Sequence, residues 1–226
     1  MNKTVYSAEI VRGHILITDD RGTRVLLDTG SPISFHSGGA IVLGGESFSV
    51  PTSLMGTDAA YVSENVGAQV DGLVGMDILG GGVLIDVPAG QVTVGESTEG
   101  RTRVPSKSFF GKILGYLAAD MVIRGCRVRA LIDTGAPTSY VVPPVTEGLT
   151  EVDTVTDFNP MVKGGTFSTP VFEMSASFAG TEFTMRAGHL PESLRTMLSL
   201  LGVTGVIGME LLRHQPILIA DGSVWV

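Results

Sequence analysis

Along most of this chain apolar and polar residues alternate with a period of two, the pattern of strands with one buried face. The stretch EIVRGHILITDDRGTRVLLD, ending at Asp28, predicts strands that turn at Asp-Asp-Arg-Gly. The stretch DMVIRGCRVRALID, ending at Asp133, repeats the scheme and turns at Arg-Gly. Helical spacing is clearest in LPESLRTMLSLLG, with Pro191 near the first turn, Leu194, Met197, Leu198 and Leu201 on one face, and Gly202 as the stop. The run GESTEGRTRVPSKS, Gly95 to Ser108, is polar and turn-rich and predicts a linker between two halves. An all-β chain with short helices follows from this pattern.

The two halves repeat one another. VLLDTGSPIS (Val25–Ser34) is matched by ALIDTGAPTS (Ala130–Ser139), with Asp28 and Asp133 105 residues apart. One given tripeptide is expected by chance in roughly 0.04 of chains this long, so two copies with matching flanks require a reason. VDGLVGMDIL (Val70–Leu79) is matched by VTGVIGMELL (Val203–Leu212), with Gly75 and Gly208 133 apart. LGGESFSV (Leu43–Val50) resembles FAGTEFTM (Phe178–Met185), with Phe48 and Phe183 135 apart. The jump in offset places an additional segment between about Tyr140 and Phe172. Its sequence, VDTVTDFNPMVKGGTFSTPVF, predicts a long hairpin over about 152–172. The halves divide as 1–98 and 99–226.

Composition narrows the function classes. With 226 residues, 43% apolar and 17% charged, the chain has enough material for a packed core. A net charge of −8 argues against nucleic acid as a partner. Cys126 is the only cysteine, so no internal disulfide is possible, and a reducing, cytoplasmic setting is expected. The N-terminus reads as neither a signal peptide nor a membrane span, so no membrane association is expected. His14, His36, His189 and His214 are scattered without ligand spacing, and no glycine pair is followed by Lys-Ser/Thr. Neither a metal nor another cofactor is expected. No Gly-x-Ser-x-Gly occurs, and Cys126 reads as an ordinary strand thiol. Asp77, Asp86 and Glu210 read as helix-start or surface charges.

An Asp at the end of a buried strand, followed by Thr and Gly, makes a tight turn that presents a carboxylate. A single Asp-Thr-Gly is also an ordinary turn sequence. Two of them facing each other make carboxyls that share one proton, because like charges a few ångströms apart cannot both ionise. One then serves as general base on a water while its protonated partner polarises a carbonyl.

With both Asp-Thr-Gly loops and both apolar-apolar-Gly motifs (Leu73-Val74-Gly75 and Val206-Ile207-Gly208), the chain resembles aspartic peptidases of the pepsin/retropepsin clan. The resemblance implies a bilobal acid-protease fold with two pseudo-twofold-related, β-barrel-like halves. It implies Asp28 and Asp133 as the catalytic pair, Thr29 and Thr134 locking the loops reciprocally, and Gly30 and Gly135 permitting the turns. Ser31 and Ala136 follow as loop support. The hydroxyl of Ser31, on one side only, is expected to donate to a carboxylate and to set a mildly acidic optimum.

The chain departs from the clan in three respects. It is shorter than a typical pepsin, it mixes Ser31 with Ala136, and its first half has only FHSGGA where a flap would sit. It resembles a fused retropepsin pair that lost one flap. The single flap is expected in the second half, with Met161, Val162, Lys163, Gly164 and Gly165 covering the substrate. The expected function is an endopeptidase that acts as a monomer on peptides or proteins. The alternative is a catalytically silent peptide-binding or scaffold protein of the same fold.

Overall fold

A computed structural model describes residues 1–109, 115–159, 162 and 165–226. The molecule is all-β with a few short helices. Each half is organised around one parallel strand pair. In the first half Gly72–Val74 runs parallel to Arg24–Leu27, with Val74 opposite Leu27. In the second, Gly205–Ile207 runs parallel to Cys126–Ile132, with Ile207 opposite Ile132. Both inner strands are buried and wholly apolar apart from glycine, as strands covered on both faces require. Each parallel pair delivers the end of the preceding strand, and hence an aspartate, to the middle of the molecule.

The hairpin read from Phe48 and Phe183 also recurs. Ala40–Leu43 pairs with Glu46–Ser49 across Gly44 and Gly45, and Thr166–Phe178 pairs with Thr181–Gly188 across Ala179 and Gly180. All four turn residues have positive φ, between 50° and 89°, which a two-residue turn needs to match the twist of its strands. Ahead of this hairpin the halves diverge. Only three residues separate Phe35–His36 from Ala40–Leu43 in the first half. At the same place the second half inserts Glu151–Phe158 and extends Thr166–Phe178 to pair with it, Asp157 opposite Phe167.

A third sheet joins the halves. Its order is Thr4–Ser7, Gln91–Val94, Gly81–Asp86, Ile217–Ala220, Ser223–Trp225, Arg103–Val104. The seam between halves is Gly81–Asp86 against Ile217–Ala220, with Leu84 opposite Leu218 and Ile85 opposite Ile217. The segment expected to be a linker is only partly one. Arg103–Val104 adds an edge to this sheet, and Ser106–Phe109 pairs with Tyr116–Ile123. Val104 is buried, and the Ser106 hydroxyl accepts from the Val224 N–H, so cross-strand contacts override the polar composition.

One hydrophobic core runs through both halves, placing Ile15, Leu27 and Val74 with Ile123, Ile132 and Ile207. Burying each such side chain contributes about 1.5–3 kcal/mol. Helix α1, Ala59–Val66, precedes the inner strand of the first half, and α4, Glu192–Leu200, precedes that of the second. Between them lie α2 (Met76–Leu79) and α3 (Pro143–Thr146), and α5 (Met209–Leu212) follows. Leu194 and Leu198 of α4 are buried and Leu200 faces solvent, as the spacing predicts. Helix α1 carries just Ala59, Val62 and Val66 on its buried face, with Asp58 accepting from the Tyr61 N–H as its cap. Among the described residues, no helix is long and apolar enough to cross a membrane.

Candidate active site

The loop after Arg24–Leu27 and the loop after Cys126–Ile132 meet through their threonines. The Thr29 N–H donates to Thr134 Oγ1 at 3.0 Å and the Thr134 N–H to Thr29 Oγ1 at 2.9 Å. Each hydroxyl then donates across the interface, Thr29 to Ile132 O and Thr134 to Leu27 O, both at 2.8 Å. Both threonines are fully buried. All four bonds join one half to the other, so separating the loops would take these partners from six polar groups: two N–H groups, two hydroxyls and two carbonyls.

This grip brings the carboxyls together. A Cβ added at Gly30 would lie 2.5 Å from the Asp133 carboxyl, and one at Gly135 would lie 2.5 Å from that of Asp28. Any side chain at either glycine would displace the opposite aspartate. The loops rest on the apolar-apolar-Gly motifs. Asp28 N–H donates to Val74 O and Asp133 N–H to Ile207 O, while Met76 N–H reaches Ser31 O and Met209 N–H reaches Ala136 O. Gly75 N–H donates to Ser34 Oγ at 2.8 Å and Gly208 N–H to Ser139 Oγ at 3.1 Å. A Cβ at Gly75 or Gly208 would lie 2.8 Å or less from the loop backbone above it.

The two carboxyls are not equivalent. Among the described residues, Asp28 accepts from the N–H groups of Gly30 (2.8 Å) and Ser31 (3.1 Å), whereas Asp133 accepts from one N–H, that of Gly135 (3.0 Å). Burial raises both above the ordinary carboxyl range. The N–H bonds and a bond from Asp133 partly offset this at Asp28. At Asp133, the charge of Asp28 and its own donation to Asp28 add to burial, and its pKa rises well above 3.8. Both carboxyls are thus pushed towards the protonated form, Asp133 more strongly than Asp28. The Ser31 hydroxyl differs from the expectation: it donates to Ile33 O at 2.9 Å, because the turn brings that carbonyl within reach. The Ser31 backbone N–H is what serves Asp28.

Several neighbours of the site had no distinctive sequence signal. Tyr116 is pushed up by burial and then by the charges of Asp133 and Asp28. Tyr140 donates to Asp157 on the inserted hairpin. His14 is buried with Nδ1 unpartnered. Burial lowers its pKa, which the nearby Gly135 backbone partly offsets. Asp77 is more than a helix-start charge, since it accepts from both the N–H and the hydroxyl of Ser34, the residue that supports Gly75. Glu210, its counterpart, pairs instead with Arg213 at 3.2 Å. A signal for Asp77 lay in its position two residues after Gly75.

The hairpin leans over the loops towards the first half. The Phe158 ring lies 5.9 Å from that of His14 and 6.1 Å from that of Tyr61. Val162 packs with the cluster that contains Ala136 and Tyr140, and a Cβ at Gly165 would lie 3.1 Å from the Tyr61 hydroxyl. Met161, Lys163 and Gly164, expected to cover a substrate, lie outside the described residues. Among the described residues, no His, Cys, Asp and Glu cluster is arranged to hold a metal ion.

Comparison with solved structures finds a retropepsin-like aspartic protease from Rickettsia conorii. The similarity spans 56% of this chain and 89% of that one, at 15% identity and a TM-score of 0.39. Neither a protein-family model nor a curated protein sequence matches the chain.

Proposed function

We propose that the chain is an aspartic endopeptidase whose single active site is built from both halves. The observation that carries this reading is the reciprocal Thr29–Thr134 bonding, which sets two buried carboxyls side by side. Asp28, as the carboxylate, takes a proton from a bound water. The resulting hydroxide attacks the peptide carbonyl carbon, and Asp133 gives its proton to the carbonyl oxygen. The tetrahedral intermediate collapses as the C–N bond breaks. Its hydroxyl proton returns to Asp133, and the proton held by Asp28 goes to the leaving amine. No metal and no covalent intermediate is required.

The inserted hairpin suits the role of a flap. It crosses from the second half to Tyr61 and His14 of the first, and a peptide held beneath it would be extended, pairing its backbone with the hairpin. The apolar and aromatic groups around the loops, among them Tyr116, Val162 and Phe167, favour hydrophobic residues beside the cleaved bond. The chain acts as a monomer, because both loops belong to one polypeptide.

Digestion of a peptide library, read by mass spectrometry, tests the reading. Cleavage by the wild type and none by Asp28→Asn or Asp133→Asn is expected. A wild type that binds peptides without cutting any would favour a silent peptide-binding protein of the same fold.

A further inference from the structure

The inserted hairpin carries an acidic residue on the face turned towards the catalytic loops. Asp157 is paired with Phe167 across the hairpin, and both engage Tyr140. The Tyr140 hydroxyl donates to Asp157 Oδ2, and the Phe167 ring lies 5.7 Å from the tyrosine ring. Tyr140 is itself almost wholly buried and fixed in Ser139–Val141, the strand that leaves the second Asp-Thr-Gly loop. Asp157 also accepts from the Phe158 N–H at 2.8 Å, so it is held as an acceptor on two sides. Its charge acts on Asp133 and raises that carboxyl further, while burial raises Asp157 itself. At the corresponding place in the first half, between Phe35–His36 and Ala40–Leu43, there is no inserted hairpin.

We propose that Asp157, held by Tyr140 on the inner face of the hairpin, is a positioning residue that keeps the shared proton on Asp133. This rests on the peptidase reading above. A negative charge on Asp157 acts on Asp133 and disfavours its ionisation, while the charge of Asp157 is not among the causes that shift Asp28.

Other titratable groups face this pair. Asp28 lies across the loops, Tyr116 comes from Tyr116–Ile123, and Tyr140 stands between Asp157 and the loop. His14 of the first half approaches Gly135. On the hairpin itself, Asp153 is paired with Arg186 at 2.7 Å and is exposed.

The test compares wild type, Asp157→Asn and Tyr140→Phe. The amide in Asp157→Asn can still accept from Tyr140 but carries no charge. The ratio of its kcat/KM to the wild-type value should fall as pH rises, from its acid plateau to about a third of that plateau one pH unit beyond the wild-type alkaline midpoint. Tyr140→Phe removes the donor, lets Asp157 take up a proton more readily, and should move the same limb in the same direction by less. A ratio constant with pH in both variants would mean a purely structural role and would overturn the proposal. Carboxyl NMR titration of 13C-labelled aspartate in the full chain reads the same proton without turnover. Asp133 should lose its proton at lower pH in Asp157→Asn than in the wild type, and coincident titrations would overturn the proposal. Failure of the wild type to cleave any peptide would overturn the peptidase reading alone, since the NMR comparison still decides this one. If Asp157→Asn does not fold, Tyr140→Phe decides by the same two measurements.

Discussion

The two halves share a loop and differ in what surrounds it. The grip is symmetric, with four bonds that map onto one another when the halves are exchanged. The environment is not. Among the described residues, Asp28 receives two N–H groups and its loop stands on a Ser34–Asp77 support, whereas Asp133 receives one and its half carries the inserted hairpin with the Tyr140–Asp157 bond. Duplication explains how two carboxyls come to face each other. Divergence gives the same side chain, placed twice, two different surroundings, which the proposed mechanism uses as base on one side and acid on the other.

The largest effect tests whether both sides are needed. Asp28→Asn and Asp133→Asn should each lower kcat/KM by about 10²–10⁴. They should differ in stability. A carboxyl raised in the folded state contributes stability that is complete below its unfolded value near 3.8 and is lost as pH rises through the folded value. Asparagine carries no such loss. Asp133→Asn should therefore melt at least about 2 °C above wild type at neutral pH, the shift that about 1 kcal/mol gives in a chain of this length. Asp28→Asn should gain less. Calorimetry at pH 7 and pH 3 checks both, and the gain should vanish at the lower pH.

Next comes the symmetric part. Thr29→Val strands the Thr134 N–H and Ile132 O, and Thr134→Val strands the Thr29 N–H and Leu27 O. Each should cost about 2–4 kcal/mol, from two buried groups left unpaired. Urea unfolding should return similar values for the two. A large inequality would mean that the grip is shared less evenly than its geometry indicates.

A smaller effect belongs to the hairpin. Phe158→Ala removes the ring facing His14 and Tyr61 and should raise KM about fivefold, the loss of about 1 kcal/mol of aromatic contact, with an unchanged circular dichroism spectrum. An unchanged KM would make the hairpin a surface feature.

The smallest effect concerns His14. Its folded pKa is depressed below 6.5, so its contribution to stability is present above that pH and lost as pH falls through the folded value. His14→Phe keeps a ring beside Phe158 and removes the unpartnered Nδ1. Its stability relative to wild type should increase between pH 7 and pH 5 in urea titrations. Parallel curves would show that His14 finds a partner on protonation.

How much of this was legible follows the same divide. Repetition announced the meeting of the two Asp-Thr-Gly loops, since Asp-Thr-Gly and apolar-apolar-Gly each occur twice in order, and the offset between copies located the hairpin. Period-two patterning found the strands, and α4 declared itself through Leu194 and Leu198. What stayed hidden depended on partners distant in sequence. The edge strand Arg103–Val104 lies within a polar run and is stabilised by Ser223–Trp225 at the far end of the chain. Asp157 looked like one more polar residue of a hairpin, because its meaning comes from Tyr140, 17 residues earlier and on another strand. Ser31 was legible as loop support, but the direction of its hydroxyl was set by the local turn to Ile33 O.

The central claim is that one chain holds one complete site made by both halves. Turnover of a common peptide pool by wild type, by Asp28→Asn, by Asp133→Asn and by an equimolar mixture of the two variants tests it most directly. Wild-type activity per molecule should stay constant on dilution, and the mixture should remain as inactive as either variant alone. Activity restored in the mixture, or wild-type turnover per molecule that falls on dilution, would show that the working site is assembled between chains and would contradict the account.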